Sequence, residues 1–411
     1  MKTRLIPVVS VVMAWAALGA TAAIATTPGD SPGAPAAAVA QPANSLNVAD
    51  YGAIGDGRSD CTQAMQNAFN TAASQHRTAY IPAGTYLHSA VLTLGGVTVT
   101  GAGAQTILVA SNPDQEALQL TGSATLSNLV TSTRAPNRSS QPLAAAIDVT
   151  GANNRVEHVT TLGAASNGIR LDGASGAQIV GNLVEGSNAD GIALMNGSLN
   201  DTVDSNEVYQ AGDDSYSDDS YTFDSRQDSG NLFTHDYALA NAYGRGFALM
   251  GATGDTIRNS VTDGSQWMGI VAGTDSNSRT MNGSNDTIAD NLILNAKGDA
   301  VAVMSAGGGL SQGGAGMRIS GNVTSGSAAS VLGFTPATNL VDRVGARVHA
   351  GHQPGRPQHD QQLPARHRRR FAQRRRLSAA RRAVARLQSP VRRGTAPNTV
   401  PRESATRISR A

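Results

Sequence analysis

Three aspartates stand at a spacing suited to acid–base chemistry. Asn188-Ala189-Asp190-Gly191-Ile192 is followed about 23 residues later by Gly212-Asp213-Asp214-Ser215, and that interval recurs along much of the chain. If each interval is one turn of a stacked coil, residues one period apart lie on adjacent rungs, roughly 4.8 Å apart as neighbouring strands are. Asp190, Asp213 and Asp214 then share one patch of wall. Cleaving a glycosidic bond with inversion needs a protonated carboxyl to donate to the leaving oxygen. It also needs a carboxylate to activate water, about 6.5–9.5 Å away. Crowding three carboxyls raises at least one pKa, which keeps a proton available near neutrality. Consecutive residues of a regular strand point to opposite faces, so Asp213 and Asp214 can both face a groove only from a bend, which Gly212 permits. Asp-Gly and Gly-Asp-Asp also occur in ordinary solvated turns. The one-period register is what points to a site.

A second acidic group, Asp218, Asp219, Asp224 and Asp228, reads as an insertion that breaks the repeat between two coils. Hard oxygen ligands in a loop can hold Ca²⁺. A polyuronate lyase or epimerase would use such an ion to acidify the substrate's C5 proton, with Arg245 or Arg258 as the base. The spacing is not that of an EF-hand loop, so no metal site is assigned and no obligatory cofactor is expected; Ca²⁺ enters only on the lyase alternative. The insertion reads instead as one wall of a substrate groove. Tyr216, Tyr221, Tyr243 and Trp267 lie on or near this stretch in a chain with only 4% aromatic residues, so they are concentrated where flat rings could stack on sugar faces. Tyr216, Trp267, Arg245 and Arg258 are therefore the candidate substrate-binding residues, with core packing the competing role for the tyrosines. His158 and His235 have no neighbours at metal-ligand spacing and read as structural.

The elements that position these groups follow from the repeat. Val156, Ile179, Val203, Ile257, Ile288 and Ile319 each open a short strand, and Asn182, Asn206, Asn291 and Asn322 each sit three residues later. Gly168-Ile169, Gly191-Ile192, Gly246-Phe247 and Gly269-Ile270 mark another strand about a dozen residues on. Short β-branched strands broken by Gly, Asn and Ser, with few charges, predict a solenoid whose inward side chains are small and stacked. The recurring Asn predicts an amide ladder inside the coil. A β-sandwich would also use short strands, but its turns would not keep one period for so long. Upstream, Leu46 to Gly57 reads as a strand and a Gly/Asp turn. Ala64, Met65, Ala68, Phe69 and Ala72 keep helical spacing over Asp60 to about Ala73, with Ser59 or Asp60 as N-cap.

The opening segment, Tyr51-Gly52-Ala53-Ile54-Gly55-Asp56-Gly57, then the helix, then Pro82-Ala83-Gly84-Thr85-Tyr86, resembles the start of the pectate-lyase-like, right-handed parallel β-helix proteins. The resemblance covers about 40 residues. It implies an all-β right-handed parallel β-helix with an N-terminal capping helix, and little about chemistry. Asn188-Ala189-Asp190-Gly191 followed one coil later by Asp213-Asp214 is similar to the polygalacturonase-like glycoside hydrolases. The form Ala-Asp-Gly-Ile then Gly-Asp-Asp is nearer their bacterial α-1,3-glucanase (mycodextranase) and dextranase branch. That resemblance implies Asp213 as general acid, with Asp190 and Asp214 holding the water as base. Gly244-Arg245-Gly246 stands where polygalacturonases carry Gly-His-Gly, and Arg258 is the nearest residue to their Arg-x-Lys. These departures point away from galacturonan and leave a neutral glucan.

The chain of 411 residues is long enough for a sizeable core, and its single cysteine, Cys61, excludes an internal disulfide and reads as a small core residue. Residues 1–25, with Lys2 and Arg4 before an apolar run to about Ala20, predict a signal peptide and hence secretion. Residues 26–45 form a Pro/Ala-rich leader, and residues 46–340 hold the β-helix. Residues 341–411 carry 18 Arg and no Lys, and account for the basic side of a formal net charge of only +2. The abrupt switch of composition reads as a disordered tail or a shifted reading frame, and so as no guide to partners. No phosphate-binding loop or nucleic-acid module is present. The expectation is a secreted, monomeric, polysaccharide-degrading enzyme with no nucleic-acid partner and no membrane association after signal removal. A lyase and a non-catalytic polysaccharide-binding or surface β-helix are the alternatives.

Overall fold

The computed structural model describes residues 38–327, apart from 134, 142–143, 276 and 305–313, together with the strands Gly333–Phe334 and Arg347–Val348. The expected signal peptide, most of the leader and nearly all of the Arg-rich tail lie outside the described residues. Within them the chain winds into a parallel β-solenoid. Three sheets of 11, 12 and 10 strands run its length, and every strand pairs in parallel with those one turn away. Among the described residues no helix is long and apolar enough to cross a membrane.

The periodic β-branched residues do what the repeat requires. Val156, Ile179, Val203, Phe233, Ile257, Ile288 and Ile319 stack in register through the first sheet, all of them buried. They are strand centres rather than strand starts, as in Arg155–Glu157 and Gln178–Val180. A second sheet, including Leu183–Glu185, Glu207–Tyr209 and Val261–Asp263, follows each recurring Asn. The third sheet carries Ile169–Asp172, Ile192–Met195, Tyr216–Asp219, Phe247–Met250, Ile270–Gly273 and Val301–Met304.

The expected amide ladder is present. The main-chain N–H of Val159 donates to Asn182 Oδ1 (2.9 Å), that of Asn182 to Asn206 Oδ1 (2.9 Å), and that of Asn206 to Asp236 Oδ1 (2.7 Å). Ser260, Asn291 and Asn322 continue it. A parallel ladder runs through Asp201, Asn231, Asp255 and Asp286. Both supply acceptors to turn amides buried away from water, where an unmade bond costs about 1–3 kcal/mol.

The glycines ahead of the third-sheet strands are required by close packing between coils. A Cβ on Gly191 would stand 2.3 Å from Val208 and 2.5 Å from the Ser215 carbonyl, and one on Gly168 2.3 Å from Val184. The N-terminal helix spans Thr62–Ser74 and buries Met65, Ala68, Phe69 and Ala72, the periodic set. Its cap position is Cys61, without a side-chain cap bond, although Asp60 Oδ1 accepts the Thr62 amide at 2.9 Å. Gln66 ties the helix to the coil by accepting from and donating to the Thr93 backbone, both at 2.9 Å. Cys61 is buried, as expected of a small core residue.

Candidate active site

The turns entering the third sheet bring the three aspartates together. Gly191 N–H donates to the Asp214 carbonyl and Ser215 N–H to the Arg245 carbonyl, so Asp190, Asp214 and Arg245 occupy the same place on successive rungs. Asp213 and Asp214 precede the strand Tyr216–Asp219 in a bend. At Gly212 a Cβ would meet the Asn188 carbonyl at 2.5 Å, so glycine lets this bend sit directly on the Asn188 turn. One carboxylate oxygen from each of Asp190, Asp213 and Asp214 lies within 4.8 Å of the others. Among the described residues this is the group compact enough to hold a cation. Two of its members are already paired with guanidinium groups. Arg245 Nη1 donates to Asp214 Oδ2 (2.8 Å) and Arg138 Nη1 to Asp213 Oδ2 (3.2 Å).

Among the described residues no guanidinium pairs directly with Asp190, which is held by neutral donors and feels Arg138 only at a distance. The Asp214 main-chain N–H donates to its Oδ1 (3.0 Å) and Ser217 Oγ to its Oδ2 (3.3 Å). Burial, then the charges of Asp214 and Asp213, push its carboxyl well above the usual carboxylate range. Burial does the same to Asp214, with Arg245 working against it. The two carboxyls therefore shed their last proton well above the pH at which an exposed aspartate does. Between them they can hold a water with either charge state on offer.

Arg245 also underlies an aromatic wall. Its guanidinium stands 5.4 Å from the Trp267 ring centre, and Tyr243 meets Trp267 edge-on at 4.8 Å. Trp267 and Tyr243 are 41% and 51% exposed, which leaves their faces open to a ligand. Of the expected substrate-binding residues, Trp267 and Arg245 thus lie at the carboxylates. Tyr216 and Arg258 do not. Tyr216 is 1% exposed, stacked inside the coil on Phe247 at 4.6 Å, with its hydroxyl donating to the Tyr237 carbonyl, because the first residue of each third-sheet strand points inward. Arg258 ends a strand of the first sheet, Thr256–Arg258, on another face of the coil.

The acidic insertion does not form one cluster. Asp218 is buried inside the coil, where Asn231 Nδ2 donates to it at 2.9 Å. Asp228 is also interior and accepts from Ser198 N–H and Ser220 Oγ, while Asp224 accepts from the Tyr221 amide and closes a turn. Asp219 alone lies near the aspartate triad, at the end of the strand Tyr216–Asp219 rather than in the expected loop. A signal was available: the coils on either side have Ala-Leu-Met at the positions of Ser217-Asp218-Asp219. His235 is a surface partner of Asp204 at 3.1 Å, in keeping with a structural role.

A family model described as "Rhamnogalacturonase A/epimerase, pectate lyase-like" matches residues 45–285. The catalytic unit of a thermostable GH87 alpha-1,3-glucanase from Streptomyces thermodiastaticus superposes with a TM-score of 0.56 at 20% identity, over 71% of this chain and 60% of that one. The catalytic domain of a GH87 alpha-1,3-glucanase in complex with nigerose gives 0.53 at 20% identity, over 65% and 52%. PfbA, a surface adhesin of Streptococcus pneumoniae, gives 0.55 at 17% identity, over 70% and 81%. At these identities the likeness is one of fold, and the chain spans little more than half the length of the glucanase chains. No curated protein matches it in sequence.

Proposed function

We propose, from the premise that this chain belongs to the rhamnogalacturonase A/epimerase, pectate lyase-like family, that it is a secreted polysaccharide-degrading glycoside hydrolase that needs no cofactor. The observation that carries this is the convergence of Asp190, Asp213 and Asp214 from two adjacent coils, with carboxylate oxygens within 4.8 Å, beside the exposed Trp267 and Tyr243. Asp213, partly exposed, donates its proton to the glycosidic oxygen as the C1–O bond breaks. Asp190 and Asp214 take a proton from the water that attacks C1 from the other face, and the product inverts. The Arg245–Asp214 pair keeps one base carboxyl ionised and oriented, and Trp267 stacks on a sugar ring. The two arginines at the carboxylates, Arg138 and Arg245, are each paired with an aspartate, which favours a neutral glucan such as the α-1,3-linked polymer of the glucanases that share the fold.

The facing oxygens are closer than the roughly 6.5–9.5 Å between carboxyl groups typical of inversion and nearer the retaining spacing of about 5–5.5 Å. The anomer first formed therefore tests the mechanism separately from the activity. The full chain and its Asp213→Asn variant should be assayed for reducing ends on α-1,3-glucan, dextran and polygalacturonan without added metal, with the product anomer followed by NMR. Release by the native protein, at least about 10³-fold weaker in the variant, with inverted product, is expected. Retained product would replace the water-activating step by a covalent one. Ca²⁺-dependent release of an unsaturated, ultraviolet-absorbing product would instead establish a lyase, the second reading that the compact acidic triad allows.

A further inference from the structure

Two turns of the coil are longer than their neighbours, and both carry the extra residues where a third-sheet strand ends. Residues 220–227 follow the strand Tyr216–Asp219, and residues 274–275 and 277–283 follow Ile270–Gly273. The two insertions leave from rungs two apart and meet over the rung between them. Tyr221 pairs with Thr280 and Asp219 with Gly251 in antiparallel bridges, in a coil whose sheets are built from parallel pairs. The Met281 main-chain N–H donates to the Ser220 carbonyl (2.8 Å) and that of Thr222 to the Arg279 carbonyl (2.9 Å). A Cβ on Gly251 would stand 2.5 Å from the Ser220 carbonyl, so glycine here, at a φ of +84°, lets the insertions close across that rung.

Each insertion is also tied within itself. The Tyr221 N–H donates to Asp224 Oδ2 (2.6 Å) and the Asp224 N–H to the Tyr221 carbonyl (2.9 Å), which closes a turn with Phe223 at its tip. In the other insertion the Asn277 N–H and Ser278 Oγ donate to the two carboxylate oxygens of Asp275 (2.9 and 2.8 Å), just ahead of Arg279. The outcome is a flat platform. Phe223 stacks on Tyr221 with ring centres 5.1 Å apart and planes 4° from parallel, and the Arg279 guanidinium stands 5.8 Å from the Phe223 ring centre. Phe223 is 67% exposed, the most open large apolar side chain among the described residues. Arg279 has no ion-pair partner among the described residues.

We propose that Phe223, backed by Tyr221 and flanked by Arg279, is a distal sugar-binding subsite that takes a hexopyranose ring of the glycan whose bond is cut at the aspartates. The inference rests on the hydrolase reading above for the identity of that chain. The C–H face of a pyranose stacks on an aromatic ring, and the hydroxyls at its edge need donors, which the guanidinium supplies. A single ring beside a charge is far smaller than the apolar core of a protein–protein interface. Position supports the same occupant. Asp190, Asp213 and Asp214 lie where the third-sheet strands begin and Phe223 lies beyond where they end, so the strand between them, at about 3.3 Å per residue, sets them roughly 15 Å apart. That is a span of several sugar rings. Between the two ends lie the small outward residues Ala193, Ser217 and Ala248, buried although they point away from the coil. With Trp267 and Tyr243 beside the aspartates and Phe223 at the far end, a bound glycan lies along the strands, across the coil rather than along its axis.

Binding is read apart from turnover in the full chain carrying Asp213→Asn, titrated by calorimetry with oligosaccharides of increasing length from α-1,3-glucan, dextran and polygalacturonan. Adding Phe223→Ala is expected to weaken binding of the long members of one series about tenfold, the value of one stacking contact, and to leave its disaccharide unchanged. Phe223→Trp should restore the affinity, and Arg279→Ala should weaken the same long members by a smaller factor. Equal weakening at every length, no weakening at any, or no restoration by Phe223→Trp would overturn the subsite. With Asp213 intact, Phe223→Ala should raise KM on the polymer and leave kcat unchanged. If the native protein releases no reducing ends while the length-dependent loss persists, the hydrolase reading falls and the subsite stands. If reducing ends are released and Phe223→Ala alters neither binding nor KM, the subsite falls and the hydrolase stands. Absence of binding in all three series would overturn both.

Discussion

Carboxyl groups occupy two regions of this coil, the turn that brings Asp190, Asp213 and Asp214 together and the interior, and burial raises the pKa of Asp190 and Asp214 in the first and of Asp201, Asp236, Asp255 and Asp286 in the second. Inside, Asp201, Asp236, Asp255 and Asp286 each accept a main-chain amide on Oδ1 and, among the described residues, have no hydrogen-bond partner for Oδ2. Among the described residues no salt bridge reaches them. In the aspartate turn, Asp213 and Asp214 have guanidinium partners and Asp190 has the donors Asp214 N–H and Ser217 Oγ. Burial without countercharge favours the neutral acid, which serves as a spacer-sized acceptor in a ladder. Burial beside fixed donors and cations leaves a group that can hold or give up a proton, as general acid–base work demands.

The sharpest contrast pairs one substitution from each region. Asp214→Asn should lower kcat by about 10²–10⁴-fold, the range for losing a positioned acid or base. Asp236→Asn, an amide that suits the ladder as well as Asn206 does, should leave kcat at the native value. Equal losses in the two variants would erase the distinction between the regions. The aromatic wall makes a smaller test: Trp267→Ala should raise KM by about tenfold, the value of one stacking contact worth about 1–1.5 kcal/mol. A fall in kcat with KM unchanged would place Trp267 with the reacting groups rather than in substrate binding.

The smallest effect is on stability. Burial pushes Asp201 up to about 7 and Asp286 up to about 8. Their folded-state values lie above those of the unfolded chain, so the folded state holds protons that the unfolded one would release. Their stabilising contribution is full below the ordinary aspartate range and is lost as pH rises towards 7 to 8. Each group contributes a slope of at most about 1.4 kcal/mol per pH unit in that window. Urea unfolding at pH 5 and pH 8 should show the loss, and Asp286→Asn should reduce it without altering activity at the optimum. A pH-independent unfolding midpoint in the native protein would mean that the interior carboxyls are charged and paired in a way the ladder does not provide.

Much of this was legible in the residues because a solenoid is nearly one-dimensional. Stacking makes sequence period and spatial neighbourhood the same quantity, so Val156, Ile179 and Val203 announce their own contacts, and Asp190 and the Asp213-Asp214 pair could be brought together by counting. The Asn ladder and the face of the N-terminal helix followed from the same periodicity. Three things were decided only by the tertiary structure. Tyr216 looked like a groove residue, yet strand parity turns its ring into the core, and parity depends on where the strand begins. Asp219 looked like part of an acidic loop, yet it ends the strand Tyr216–Asp219 on the side of the coil near Asp190. Arg245 looked like a ligand for substrate, whereas the rung register spends its guanidinium on Asp214. Period fixes which coil a residue belongs to; only the path of the backbone through each turn fixes which way its side chain points and which charge it meets.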